Sequence, residues 1–264
     1  MKINEEKPQG VLHHRAVAAN YQLRRYFPAD QFNGFIEQFW LVNWQLEENR
    51  DHLQQNLPDP NFHLVISDGH VKLLGPVSKS YGYRMAGAGR IIGVKFECGA
   101  LTELLAAPIA SYVDQELAAN SVFGDDIDAL CLPLLGIEDD ATIVSRLQAY
   151  LVAFIPPVSD HKLAAQRLVA LIKQNADIYS VEQLASAAHL SVRAVQRLCA
   201  SYVGLSPKWL IRKYRLARAL EELEQENVSI LDIVAKLDYV DQSHLIRDFK
   251  QMLAVTPSRY LKQG

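Results

Sequence analysis

Residues 180–260 contain the same pattern twice, and this repeat restricts the fold more than any other feature. The copies are offset by 49 residues at their start and by 50 from the second helix onward, so the second copy has one extra residue in its turn. An internal repeat marks a structural unit that is used more than once, and two copies are too few for a solenoid. The first copy matches at Ser180, Val181, Leu184, Ala185, Ser191, Val195, Gln196, Arg197, Leu205, Ser206 and Pro207. The second matches at Ser229, Ile230, Ile233, Val234, Asp241, Leu245, Ile246, Arg247, Val255, Thr256 and Pro257.

Each copy predicts a short helix, a turn and a second helix, which are the proportions of a helix-turn-helix. Ser180 with Gln183 forms a capping-box pattern, and the pairs at 206–207 and 256–257 place an N-cap residue before a proline at the first helical position. The helix from 207 to about 224 has roughly 18 residues and a length of about 27 Å. With its turns it can set the second helices of the two units about one DNA turn apart, near 34 Å.

The second helix of each unit has an outward stripe of polar side chains. Arginine can pair with guanine and glutamine with adenine in the major groove. For one stripe alone a solvated helix face is the simpler interpretation, but two stripes with arginine at the same register favour base recognition. The stripes consist of Val192, Arg193, Gln196, Arg197 and Ala200 in the first unit, and of Gln242, Ser243, Ile246, Arg247 and Lys250 in the second.

This part of the chain, from about residue 164 to 262, resembles the AraC/XylS-type bacterial transcription regulators. The resemblance rests on Leu184-Ala185, Leu190-Ser191, Gln196-Arg197, Gly204-Leu205-Ser206-Pro207, Arg215, Ala219, Ser229-Ile230, Ile233-Val234, Asp241-Gln242-Ser243-His244, Arg247-Asp248-Phe249-Lys250, Thr256-Pro257 and Tyr260. The chain departs from the family pattern at Asp238 and Ala254, where glycine is usual, and at Cys199, where an aromatic residue is common.

The resemblance implies a sequence-specific regulator that reads two successive major grooves. The base contacts are then expected from Arg193, Gln196, Arg197, Gln242, Ser243 and Arg247. Helix N-termini and nearby lysines are expected to contact phosphates, namely Ser191, Ser206, Lys208, Lys250 and Thr256. The expected partner is double-stranded DNA. Further partners of such a regulator would be RNA polymerase, a small-molecule effector and a second copy of the chain.

The charge distribution agrees with a polyanionic partner for the second half. Residues 160–264 contain 15 Lys and Arg against 11 Asp and Glu, whereas the first 159 residues contain 12 against 19.

No apolar run approaches the roughly 20 residues that a membrane span needs, and residues 1–8 do not begin a signal peptide. The three cysteines are odd in number and far apart, which indicates reduced thiols and a cytoplasmic location. No cofactor is expected.

Before residue 99 the pattern is that of β-strands, with candidates at 39–46, 62–67, 71–74 and 91–96. Helical spacing follows at 101–109, 114–117, 127–135 and 141–155. The predicted fold class is α+β: a mainly antiparallel β-barrel or sandwich with trailing helices, then an all-α domain of two helix-turn-helix units joined by a long linker helix. The predicted domains are residues 1–155, which form a β-rich effector or oligomerisation domain, a Pro-rich linker at 156–159, and a DNA-binding domain at 160–264.

The front half carries the effector hypothesis. An aromatic pocket lined by Trp40, Trp44, Phe62 and Tyr83 is expected to hold a ligand. For any one of these side chains alone, packing in the core is the simpler interpretation. The spacing of the histidines matches no metal-ligand pattern, so no metal is expected. The helix at 141–155 is compatible with a dimer seam and with internal packing.

The sequence can be compared with two other classes of function. An enzyme on the front domain, transferring alkyl groups as in DNA repair and targeted by the C-terminal units, would need a reactive cysteine. Cys98 lacks the neighbouring Pro and His that such chemistry needs. A protein-interaction module with degenerate helix-turn-helix units is disfavoured by Arg197 and Arg247. The chain is therefore predicted not to be an enzyme.

Overall fold

The first half of the chain is an antiparallel sheet with a smaller second layer. The computed structural model describes residues 2–5, 10–13, 19–225 and 228–262. Its strands are β1 Lys2–Ile3, β2 Gln22–Phe27, β3 Ile36–Gln45, β4 Asp51–Asn56, β5 His63–Ser67, β6 His70–Leu74, β7 Tyr81–Ala86, β8 Ala88–Phe96 and β9 Glu116–Ala118. Seven strands form one sheet in the order β1-β2-β3-β8-β5-β6-β9, and β4 pairs with β7 separately.

The two faces of the large sheet bury different layers. Phe39 and Leu41 of β3 point to one face, where they join the largest apolar core, whereas Trp40 and Val42 point to the other. That second face is covered by β4 and β7, whose Met85 packs into the same small cluster. The sheet does not close into a barrel, so the sandwich form of the prediction describes this half.

Three short helices cover the first face of the sheet. They are α1 Asn120–Phe123, α2 Ile127–Cys131 and α3 Asp140–Leu151. Asp140 at the start of α3 pairs with Arg24 and Arg90 of the sheet and accepts a hydrogen bond from the Tyr26 hydroxyl. The apolar side of α3, including Ile143 and Leu147, is fully buried in this core.

Two of the predicted helices in this half are wrong. The segment 101–109 forms turns followed by a single 3-10 turn at Ile109–Tyr112, and 114–117 leads into β9 instead of a helix. Leu101 is fully buried because these turns lie against the core, so apolar spacing alone did not distinguish them from a helix.

The second half is helical, as predicted. Its helices are α4 Asp160–Gln174, α5 Val181–Ala187, α6 Val192–Tyr202, α7 Pro207–Leu223, α8 Ile230–Lys236, α9 Gln242–Leu253 and α10 Pro257–Leu261. The capping box of Ser180 with Gln183 is present, and Ser229 with Asp232 forms the equivalent one in the second unit. Ser159 caps α4 directly after the Pro156-Pro157 segment.

Helix α7 links the two helix-turn-helix units and is buried along most of its length. Leu210 and Ile211 belong to the core of the first unit, whereas Leu216 and Leu220 belong to the core of the second. A 17-residue helix spans about 26 Å. The relative position of the two units is therefore set by one rigid element.

The front half contacts both units. The indole N–H of Trp209 on α7 donates to the carbonyl of Ser78 at 3.1 Å, and the amide of Ser80 donates to the carbonyl of Met252 in α9 at 2.7 Å. Gly204, which follows α6, has φ +76, and a Cβ there would lie 2.7 Å from Cγ2 of Ile109. Only glycine allows this turn and this close approach together.

In the described part of the helical half, three residues other than glycine also adopt left-handed backbone conformations. Asp238 has φ 53 and Ala254 has φ 58, at the two positions where the family pattern has glycine. His189 has φ 54 in the turn of the first unit. A left-handed conformation costs a side chain roughly 1–2 kcal/mol. The turns inside both helix-turn-helix units therefore carry this strain. The backbone strain differs between the units only in the turn after the second helix, where the first unit has Gly204 and the second has Ala254.

Candidate DNA interface and effector cavity

The first reading helix, α6, leaves its polar stripe open to solvent. Val195 and Leu198 are buried against the rest of the unit, and Arg193, Gln196 and Arg197 on the opposite side are exposed. The Ser191 hydroxyl accepts a hydrogen bond from the amide of Ala194 and so fixes the start of the helix. The three polar side chains are therefore free to meet base edges.

The second reading helix, α9, is built in the same way. Leu245 and Phe249 are fully buried, and Gln242, Ser243 and Arg247 are exposed. The guanidinium of Arg247 donates to the carbonyl of Ser243 one turn back at 3.3 Å, an intrahelical contact that a base could replace.

Buried charges hold α9 against the linking helix. The carboxylate of Asp248 is almost completely buried and pairs with Arg212 at 2.9 Å and with Arg215 at 3.4 Å. Arg215 also lies over the ring of Tyr239, 4.2 Å from its centroid. With the 50-residue offset the equivalent position in the first unit is Leu198, so the first reading helix has an apolar contact there.

The residues expected at phosphates occupy helix starts and exposed helix surface. The hydroxyls of Ser206 and Thr256 accept from the amides of Trp209 and Arg259, and Ser191 caps α6 as described. Lys208 and Lys250 are exposed. The first amides of each helix have no partner within the helix, so these starts suit anions.

A cavity of about 710 Å³ lies between the large sheet and the β4–β7 layer, with α7 in its wall. Its volume is within the range of roughly 300–1,000 Å³ that is typical of small-molecule sites. Tyr21, Trp40, Tyr83 and Met85 line it, together with residues that the sequence did not single out, above all Lys213 and Tyr214.

Two of the four aromatic residues predicted for a pocket lie at this cavity and two do not. Trp40 and Tyr83 are in its wall, and the Trp40 ring lies flat on β8 because Gly93 has no side chain to displace it. Phe62 is buried in the core on the other face of the sheet. Trp44 packs in the same way on Gly89 and donates its indole N–H to the carbonyl of Ala86, which places it in the small apolar cluster beside the cavity.

Several buried polar atoms in the cavity wall have no hydrogen-bond partner among the described residues. They are the hydroxyl of Tyr21, the indole nitrogen of Trp40 and Nδ1 of His63, whose Nε2 lies 3.8 Å from a carboxylate oxygen of Asp59. Leaving such a group buried and unpaired costs about 1–3 kcal/mol. A bound molecule with hydrogen-bonding groups would remove this cost.

The end of the cavity nearest the helical half carries a network of charges. Lys95 pairs with Asp59 at 2.9 Å and with Glu37 at 3.2 Å, and Lys173 of α4 lies 3.5 Å from Glu37. Burial would raise the pKa of Asp59, but Lys95, His63 and Lys213 together outweigh burial and hold the pKa well below its usual range. The network therefore remains ionised and joins the two halves.

Lys213 is buried in the same region, and it forms no ion pair within the described part of the chain. Its ammonium lies over the ring of Tyr214, 4.0 Å from the centroid. Burial lowers the pKa of Lys213 to about 8, although the charge of Asp59 acts in the opposite direction. Sequence patterns could not have identified this residue, because it lies on a helix whose other buried positions are core.

Two helix-turn-helix units on one linking helix, each with an exposed reading helix, define a bipartite DNA-binding domain. Residues 184–263 match the family described as "Helix-turn-helix domain", and residues 24–118 match "Domain of unknown function (DUF6597)". The C-terminal part of the chain therefore contains a helix-turn-helix domain, as the sequence predicted.

Relatives of this domain are named as transcription regulators. An uncharacterized HTH-type transcriptional regulator of Haemophilus influenzae is 32% identical over 95 residues, which cover 36% of this chain and 32% of that protein. The HTH-type transcriptional regulator MtrA of Neisseria gonorrhoeae is 27% identical over 94 residues, 36% of this chain and 31% of that protein. The match thus spans about a third of the length of each relative.

A solved structure of ToxT from Vibrio cholerae aligns with 92% of this chain and 98% of its own, at 11% identity and a TM-score of 0.42. Among the described residues no helix is long and apolar enough to cross a membrane.

Proposed function

We propose that the protein is a sequence-specific DNA-binding transcription regulator. The observation that carries the proposal is the pair of exposed arginines, Arg197 and Arg247, at the same register of two reading helices that one buried helix connects. Bases are read by Arg193, Gln196 and Arg197 in one major groove and by Gln242, Ser243 and Arg247 in the next. Ser191, Ser206, Lys208, Lys250 and Thr256 contact the phosphates.

We expect binding to genomic fragments to weaken steeply between 50 and 200 mM salt, because each neutralised phosphate releases counterions. Filter binding at these two concentrations measures this effect. The exposed pair Lys208→Ala and Lys250→Ala should reduce the slope by about one unit each, whereas Lys72→Ala on the sheet should leave it unchanged. A salt-independent affinity, or no retained DNA at low salt, would contradict the proposal.

We further propose that a small molecule in the cavity modulates DNA binding. Its contacts with Lys213 and Tyr214 would act on the same turn of α7 whose Arg212 and Arg215 hold Asp248 of the second reading helix. A ligand shifts the equilibrium between two conformations of a protein only if it makes different contacts in each of them. Both halves contribute to the wall of the cavity, so a movement of one half relative to the other would change the contacts of a bound ligand. On this proposal residues 1–155 are the effector domain, 156–159 the linker and 160–264 the DNA-binding domain.

A ligand that binds in the cavity is expected to raise the melting temperature, because it binds the folded chain and not the unfolded one. Thermal melting of the protein against a metabolite library measures this shift. Val65→Phe places a larger side chain in the cavity and should abolish the shift in melting temperature. Val158→Phe changes an exposed site and should keep the shift. The same compound should alter the DNA affinity of the wild type and of Val158→Phe, but not that of Val65→Phe. If no compound shifts the melting temperature and DNA binding responds to none, the effector proposal is wrong.

The structure gives no support to an alkyl-transfer enzyme in the front half. Burial raises the pKa of the Cys98 thiol far above its ordinary value, and burial raises those of Cys131 and Cys199 to about 12. A nucleophilic cysteine needs a lowered pKa. A regulator without catalytic activity is the function we propose.

A further inference from the structure

The repeat identifies Val240 as the extra residue of the second unit. The turn hydrogen bond from the amide of Leu190 to the carbonyl of Ala185 recurs from Tyr239 to Val234, with an offset of 49. The N-caps, Ser191 and Asp241, are 50 residues apart. Val240 is therefore inserted between the turn and the start of the second reading helix, and the first unit has no counterpart.

Packing of the unit does not account for this valine. Its side chain is 86% exposed, the largest value among the exposed large hydrophobic residues of the described chain, whereas Tyr239 before it is 5% exposed. A single exposed apolar residue is ordinary on a protein surface. The position of Val240 in the fold makes it significant, because the N-terminal end of a recognition helix is the part that approaches the bases.

The neighbouring charges indicate which part of DNA this turn can meet. Asp238 and Asp241 flank Val240 and are both exposed, and the Asp241 carboxylate accepts from the amide of His244 at 2.7 Å. Two carboxylates disfavour contact with phosphates. At the base edges of the major groove the apolar group is the C5 methyl of thymine, which small apolar side chains contact.

We infer that Val240 contacts a thymine C5 methyl group in the second half-site and reads that base together with Gln242 and Ser243. This inference rests on the proposed DNA binding and adds a specificity-determining residue to it. The first unit lacks this residue, so this particular contact is made in the second half-site.

The test uses the full chain and a site selected from random DNA. Each thymine of the second half-site is replaced by uracil, which removes only the methyl group, and binding is measured by titration. The wild type should lose about threefold to fivefold at one position, as expected for one buried methyl group. Val240→Ala should bind the thymine site more weakly by a similar factor and show no response to uracil there.

Two control variants separate the inference from the function on which it rests. Leu231→Ala removes another exposed apolar side chain of the same unit, 67% exposed, and should retain the uracil response. Arg197→Ala should weaken binding and retain it as well. A selected second half-site without thymine, no uracil response, or an unchanged response in Val240→Ala overturns the inference while sequence-specific binding persists. Failure to select any sequence at low salt overturns the proposed function, and this inference with it.

Discussion

Arg197→Ala and Arg247→Ala are each expected to weaken binding to the true site by about 1–3 kcal/mol, with much smaller losses on random DNA. A bidentate contact with guanine discriminates between bases, whereas a phosphate contact stabilises every sequence equally. Both side chains are exposed and neither belongs to a buried ion pair, so truncation should not change folding. Titration of each variant against the selected site and a shuffled site measures the difference.

Arg167→Ala is the matched control for these two variants. Arg167 is exposed on α4 of the same helical half, at a position that the reading helices do not share. Its removal should lower affinity slightly and equally on both DNAs. Equal losses on the true and the random site for Arg197→Ala or Arg247→Ala would show that the arginine positions the backbone and reads no base.

Asp248→Leu is expected to lower the free energy of unfolding of the second unit by about 3–5 kcal/mol. The substitution installs the residue that the first unit has at this position, yet it leaves the guanidinium of Arg215, which is 5% exposed, without its carboxylate. The loss comes from the unpaired buried charge. Urea unfolding followed by circular dichroism measures it, with the slope as a check on the transition.

The double variant Asp248→Leu with Arg215→Met removes both buried charges and should recover much of the lost stability, since an apolar replacement of a buried pair is often neutral or better. Leu198→Ala in the first unit serves for comparison, because it creates a cavity without leaving a buried charge unpaired. If the single and double variants unfold at the same urea concentration, the stability of α9 does not depend on this ion pair.

Local signals accounted for most of the helical half. The starts of α5 to α10 could be predicted because an N-cap side chain and the amide that it satisfies lie within three residues of each other. The same applies to the reading stripes, which follow from helical periodicity. The site residues Arg197 and Arg247 needed no tertiary information beyond the repeat.

Less of the front half could be predicted, because the residues that determine its structure are far apart in the sequence. Trp40 reaches the cavity wall because Gly93, its partner on the neighbouring strand and 53 positions away in sequence, leaves space for its ring. Strand β4, Asp51–Asn56, has polar side chains at every position but Leu53, so no apolar alternation indicated it. Lys213 shares its helix with core residues, and only the packing of α7 against the sheet brings it to the cavity.

The position of Lys213 along α7 has a mechanical consequence. It lies near the middle of a 17-residue helix whose ends lead to the two helix-turn-helix units. If the helix tilts by about 5° about its centre, each end moves by roughly 1 Å, since half its length is about 13 Å. A hydrogen bond tolerates a range of only about 0.5 Å between its heavy atoms. A tilt too small to disturb the core would thus misalign the protein with both half-sites simultaneously, in opposite directions.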